Sequence, residues 1–242
     1  MCLIVVGVGA SARHSLLVAA NRDEQHTRPA LPAAWWPDAP RVLGGRDLSA
    51  GGTWLALDDR GRFAAVTNIR DPQRPLALRS RGSLVADFLT GDHSAAQYAA
   101  RVVQDGAAFG AFNLLLFDGR ELHFASNRAK ATPLATGLHA FSNAPPGTQW
   151  PKTATALHGA AAVLEKAAPV EALFELLAQR ADSGEPERRF ERAHFVVGPT
   201  YGTRCSTVVL VAADGTVTFA ERTFDAAGAP TGEVRETFTL RR

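Results

Sequence analysis

Short apolar runs separated by turn-forming residues dominate both ends of the chain. Cys2 to Val8 and Ser15 to Ala20 are rich in Val, Leu and Ile, and the turn-prone segment Gly9 to His14 lies between them. This pattern predicts a β-hairpin. TWLALD and RFAAVTN, joined by the tight DRG turn, predict a second. FNLLLFD and ELHFASN around Asp118 and Gly119 predict a further pair, followed by a short strand at LHAFSN. Near the C-terminus HFVVG, CSTVVLVA, TVTFAERTF and EVRETFTL read as strands, with a turn at Asp214 and Gly215. Between these groups, helical spacing appears at Ser83 to Thr90, His93 to Gln104, Lys152 to Ala167 and Val170 to Ala181, the last opened by Pro169. The Pro- and Gly-rich stretch Pro29 to Gly52 predicts a long surface loop. SGEPERRFERA predicts a solvated linker or lid. Strands at both ends with helices grouped between them describe an α+β protein whose antiparallel sheets are covered by helices on one side each. A chain of 242 residues with 46% hydrophobic content is expected to form one domain over residues 1–242.

Composition narrows the classes of function. The formal net charge is +2, the sequence pI is near 8.8 and the basic residues are dispersed, so nucleic-acid binding is not expected. No window approaches the roughly 20 apolar residues of a membrane span, so no stable membrane insertion is expected. Two cysteines cannot build a disulfide scaffold, and MCLIVVGVG lacks the charged start of a secretory signal. A cytoplasmic protein is expected. The seven histidines show no metal-ligand spacing such as HExxH and no CxxCH for covalent haem, so no metal site is expected.

The chemistry concentrates where the first hairpin ends, because LLVAA runs straight into Asn21, Arg22, Asp23 and Glu24. Pairing Val8 with Ser15 makes opposite residues sum to about 23 and sets Cys2 across from Asn21. Position 2 is small enough for removal of the initiator Met, which would leave a free α-amino group on the residue that carries the thiol. Such an amine titrates at about 7.7 to 8.0 and can take the thiol's proton. Asp23, on the strand face of Asn21, could then hold the amine. The alternative is that Cys2 is a small strand residue and the polar cluster a solvated strand end.

MC at the start, AANRDE followed by RP, GGTWLAL, TNIR, SRG, FNLLLFD, FSN, WPK, YGTR, and STVVLV with DGTVTFAER together resemble the transport and Golgi organisation 2 family, also called NRDE proteins. The resemblance runs through the whole chain in order. It implies an N-terminal-nucleophile (Ntn) hydrolase-like αββα sandwich, and roles linked to haem movement, acyl-coenzyme A handling and Golgi organisation. A remoter similarity to cysteine acylases of the choloylglycine hydrolase type implies roles for single residues. Cys2 would attack a carbonyl while its α-amine shuttles the proton and Asp23 holds that amine. Asn143 in FSNAP would donate to the oxyanion, and Arg204 in YGTRCS would favour the thiolate. Those enzymes carry Arg immediately before N-x-D, where this chain has Ala20; its own Arg22 is the middle residue and would face away from Asn21 and Asp23.

Other residues carry two readings each. Gly51 and Gly52 before Thr53 and Trp54 let backbone approach a ligand or simply turn into a strand. Arg79 and Arg81 bind a carboxylate or phosphate at a helix start, or are solvated beside a cap. Trp35 and Trp36 are lid residues or loop packing. Cys205, adjacent to Arg204 on a strand, is expected to face the other way and pack in the core. Together these features give Cys2, Asp23, Asn143 and Arg204 as expected catalytic residues. Asn21, Arg22, Trp54, Asn68, Arg79 and Arg81 are the expected ligand contacts. The expected function is hydrolysis or transfer of a small acyl amide or thioester. The other reading is a non-catalytic carrier of haem, bound non-covalently, or acyl-coenzyme A in the same cleft. No cofactor is required by either.

Overall fold

The structure is a computed structural model that describes residues 2–69, 78–164, 169–180 and 189–241. The chain folds as two compact units. The expected processing of Met1, Arg70 of TNIR, the last residues of the helix expected to reach Ala167, Ala181 at the end of the next helix, and residues 183–188 of the polar linker lie outside the described residues.

The first unit comprises Met1–Thr27, Thr136–Ser142 and Gln149–Thr239. Its strands are β1 (Leu3–Val8), β2 (His14–Gln25), β10 (Gly137–Ser142), β11 (Tyr201–Ala212), β12 (Thr216–Phe224) and β13 (Pro230–Thr239). They form one antiparallel sheet in the order β10-β1-β2-β11-β12-β13. Helices α3 (Pro151–Val163) and α4 (Pro169–Leu177) pack on one face, with the short helix α5 (Arg189–Arg192) beside α3. Leu3, Val5, Leu17, Ala19, Val208 and Leu210 on that face meet Ala156, Ala160, Leu173 and Leu177 from the helices. The alternate residues Ile4, Val6, Val18, Ala20 and Val209 are fully buried too. Both faces of β1, β2 and β11 are therefore withdrawn from water, which explains runs that are continuously apolar rather than alternating.

The second unit comprises Arg28–Ala135, Asn143–Thr148 and Leu240–Arg242. Its seven strands are β3 (Ala30–Trp36), β4 (Ala39–Asp47), β5 (Leu55–Asp58), β6 (Phe63–Asn68), β7 (Phe112–Phe117), β8 (Leu122–Ser126) and β9 (Ala129–Leu134), paired in that order. Helices α1 (Gly82–Thr90) and α2 (Ala95–Gln104) cover one face, where Leu84, Val85, Phe88, Tyr98 and Val102 meet Ala64, Val66, Phe112, Leu114 and Leu116. Ser94 and Gln97 close a capping box on α2.

Four expectations change. Pro29 to Gly52 is not a long loop, because most of it pairs as β3 and β4. The irregularity that hid the strands is a bulge between Leu31 and Ala34 around Pro32, a residue without an N–H for the ladder. Trp36 is buried in this sheet, donates to the Gly44 carbonyl at 2.9 Å and lies under the Arg46 guanidinium, so it is strand packing. HFVVG is not a strand. Its backbone is held by Gln179, whose carbonyl takes the His194 and Phe195 N–H groups, and by Thr203, which bonds Val196 in both directions. β9 went unforeseen because AKATPL has no apolar alternation and sits at a sheet edge.

Gly52 shows that the GG of GGTWLAL serves chain packing. Its φ is +73°, and a Cβ there would lie 2.4 Å from the Gly82 carbonyl oxygen, which accepts the Thr53 N–H at 3.2 Å. The close approach is to the start of α1. Gly52→Ala is expected to destabilise the protein by at least about 2 kcal/mol through combined clash and left-handed strain, read as a lower urea midpoint at unchanged m.

Candidate functional site

β2 does not stop at Ala20 but continues through Asn21, Arg22, Asp23, Glu24 and Gln25, with Asn21, Arg22 and Asp23 all buried. A central strand can carry polar residues into the interior only if each finds partners. Asn21 donates to the carbonyls of Leu177 and His194, both at 2.8 Å, and accepts from the Ser206 hydroxyl at 2.6 Å. It therefore satisfies an orphan carbonyl at the end of α4 and pins the 194 segment to the sheet. Asp23 accepts from the Thr203 hydroxyl at 2.7 Å, and Thr203 is its strand partner.

The observed register pairs Leu3 with Asn21, so opposite residues sum to 24 rather than 23. Continued by one residue, it sets Cys2 level with Arg22. A one-residue slip exchanges faces, which corrects the expectation that Cys2 lies across from Asn21. Cys2 shares its face with Arg22 and, through the pairing of Arg22 with Cys205, with Cys205. The sulphur of Cys2 accepts a hydrogen bond from the Asp23 backbone N–H. Burial pushes the Cys2 thiol above its ordinary value; the Asp23 carboxylate raises it further, and the Arg22 charge opposes both.

Arg204, the residue expected to favour the thiolate, lies at an irregularity of β11. It is the extra residue of a bulge between Thr203 and Cys205, and its guanidinium donates to the carbonyls of Gln25 and His26, each at 3.0 Å. Arg22, by contrast, is a cation whose charge reaches Cys2. Cys205 packs in the core as expected, but on the face of Arg22. Burial drives its thiol well above the ordinary range, aided by the buried Glu221 that bonds it.

The remaining expected contacts belong to the second unit. Asn143 is buried and its side-chain amide donates to the Asn68 carbonyl, while Asn68 itself is exposed at the end of β6. Trp54 is half-buried and its carbonyl takes the Val66 N–H. Arg79 pairs with Asp87 at 2.8 Å and stacks on Phe109. Arg81 donates to the Ala111 carbonyl at 3.2 Å. Both arginines have partners within the protein at the start of α1.

Two buried residues that sequence reasoning passed over lie in the same unit. Lys152, in the first turn of α3, is completely buried, with its ammonium 5.4 Å from the centre of the Trp150 ring. Burial pulls its titration down, and the charges of Asp23 and Cys2 pull it back up. The available signal was a cation at a helix N-terminus, where the macrodipole disfavours it. His194 is also buried; its Nδ1 lies 2.8 Å from the Leu176 carbonyl and its Nε2 2.9 Å from the Thr155 hydroxyl. Burial lowers its titration, so it is neutral near pH 7. Among the described residues no group of three or more His, Cys, Asp or Glu side chains is arranged to hold a metal ion, and no helix is long and apolar enough to cross a membrane.

A family model for "Transport and Golgi organisation 2" matches residues 1–226. The chain belongs to that family. The bovine transport and Golgi organization protein 2 homolog is 36% identical over 238 residues, 86% of each chain, and the human homolog 34% over the same span. Among solved structures, a Caenorhabditis elegans N-acylethanolamine-hydrolyzing acid amidase ortholog is similar at TM-score 0.52 and 10% identity, covering 86% of this chain and 92% of that one. A conjugated bile acid hydrolase from Clostridium perfringens is similar at TM-score 0.53 and 8% identity, covering 99% and 92%. At such identities the likeness shows the fold: α+β, of the αββα Ntn-hydrolase type. In this family member, then, the strand that carries the NRDE sequence is an interior strand beside the Cys2 thiol.

Because Arg22 rather than Arg204 lies beside the thiol, Arg22→Met is expected to raise the pH midpoint of Cys2 alkylation by about one unit, whereas Arg204→Met leaves it unchanged. Iodoacetamide labelling at a series of pH values, quantified on the N-terminal peptide by mass spectrometry, measures both. A shift with Arg204→Met alone would restore the original assignment.

Proposed function

We propose that the protein is a cysteine-dependent acyl hydrolase or acyl transferase acting on a small amide or thioester. The observation that carries this reading is the setting of Cys2: a buried thiol at the head of β1, with the Asp23 N–H on its sulphur and the Arg22 charge beside it. The Cys2 sulphur attacks the carbonyl carbon, the thiol proton passes to a base, and the C–N or C–S bond to the leaving group breaks as that group takes up the proton. Water or an acceptor then cleaves the Cys2 thioester. Removal of Met1 makes the α-amine available as the base, and Asp23, fixed by Thr203, orients it. The amidase and bile acid hydrolase that share the fold are named for hydrolytic activity, which supports the reading without fixing the substrate.

One observation favours a second reading. Burial raises the Cys2 thiol, which holds it protonated near neutral pH and suits a non-catalytic pocket. In that reading the protein carries haem or acyl-coenzyme A as cargo, recognised by the shape and charge around Arg22 and Asp23.

Cys2→Ala separates the two. Hydrolysis requires that the variant lose turnover on a panel of amides and thioesters by at least about 100-fold, and that wild type show a burst with one acyl group on Cys2 by intact mass. Haem and acyl-coenzyme A titrations on the same proteins measure carriage. Saturable binding of either, equal in wild type and Cys2→Ala and with no Cys2-dependent turnover of processed protein, establishes the carrier and overturns the hydrolase.

A further inference from the structure

The edge of a sheet leaves a row of backbone N–H and C=O groups for another strand to meet. The sheet of the first unit ends on β10 and β13. β10 is half-buried along most of its length and lies beside α3. β13 is exposed at every odd-numbered position from Thr231 to Thr239 and half-buried at Val234, Glu236 and Phe238. The helices α3 and α4 pack over β10, β1, β2 and β11, well short of this edge. Edges are commonly blunted by proline or a bulge. Here both are confined to the start of the strand, at Pro230 and the irregularity beside it, and from Gly232 to Thr239 the ladder with β12 is regular.

The charges on this edge are already held in place. Glu171 of α4 accepts from Arg222 and Arg235, each at 2.7 Å, and Glu233 accepts from Arg222 at 2.7 Å and Arg235 at 3.0 Å. The four side chains close a ring of alternating sign. The side chains of Arg235 and Glu233 are still 44% and 37% exposed, so a partner can reach them and orders little that is not ordered already.

Backbone geometry restricts that partner. Alternate residues of an antiparallel strand turn both N–H and C=O outward, so two copies of β13 laid edge to edge pair about a two-fold axis centred on one residue. An axis at Glu233, Arg235 or Glu236 sets like charges face to face. An axis at Val234 sets valine on valine, Gly232 against Glu236, and Glu233 of each copy against Arg235 of the other.

We propose that β13 is a homodimer edge, on which a second copy of this chain lays its own β13 antiparallel about Val234 and joins two six-stranded sheets into one. The strand matches itself in charge on the face that carries α4 and meets through valine on the other. The pairing stands whichever function the Cys2 site has.

Sedimentation velocity on the full chain is expected to show a reversible dimer at about 10–100 µM that weakens as salt is raised. Two further measurements read the register. Val234→Cys sets two thiols across the axis with Cα atoms about 4.5–5.5 Å apart, within disulfide reach, whereas Thr237→Cys sets them roughly 20 Å apart. Cys2 and Cys205 are buried, and mild oxidation is expected to crosslink Val234→Cys at least about tenfold faster than Thr237→Cys. Arg235→Glu and Glu233→Arg each oppose like charges in their own dimers, so each alone is expected to associate at least about tenfold more weakly than wild type. An equal mixture of the two restores both unlike pairs and is expected to associate as wild type does, although neither chain rebuilds its own ring. A chain that stays monomeric throughout, leaving β13 to a strand of some other protein, overturns the proposal. So does crosslinking no faster at position 234 than at 237, or a mixture that associates no better than its components.

Discussion

The site depends on the ladder between β2 and β11, which runs from His14 to Gln25 and carries three consecutive polar residues through the interior of the first unit. Burial of Asn21, Arg22 and Asp23 would be costly anywhere else in the fold. Here every second side chain finds a hydroxyl directly across: Ser206 for Asn21 and Thr203 for Asp23. Leaving a buried acceptor unmade costs roughly 1–3 kcal/mol, so the strand, the end of α4 and the 194 segment stand together through Asn21. The same strand supplies the Asp23 N–H that bonds the Cys2 sulphur.

Alternation along β2 separates charge between the two faces of one strand. Arg22 points to the side of Cys2 and Cys205, with Glu221 near Cys205; Asp23 points to the side of Thr203 and of α3, where Lys152 is buried. Cys2, at the strand's level but outside the ladder, feels both. The thiol therefore experiences opposing influences, burial and a carboxylate against a guanidinium, and a change at either Asp23 or Arg22 tips the balance.

Many of the antiparallel strands and the helices α1 to α4 were legible because their residues obey local rules: DRG and DG turns, Pro169 at a first helical position, and long apolar runs. The NRDE segment was legible as unusual but not as strand, since nothing local announces that a neighbouring strand will supply Ser206 and Thr203. The register was off by one because the turn from Gly9 to His14 admits either pairing, and only packing of the sheet face selects. Lys152 offered only the weak signal of a cation at a helix N-terminus, because the Asp23 charge that acts on it lies 129 positions away in sequence. The contacts of Arg204 are hidden for a related reason: alternation does not hold where β11 breaks step.

That break has a consequence of its own. Thr203 faces Asp23, Cys205 faces Arg22 and Ser206 faces Asn21, so three residues of β2 are matched by four of β11, with Arg204 left over. Remove Arg204 and the remaining partners form an ordinary unbroken ladder, every pairing in place. What it would cost is the two carbonyls of Gln25 and His26, which the guanidinium gathers where β2 leaves the sheet. Arg204 is thus a clasp on the exit of the strand.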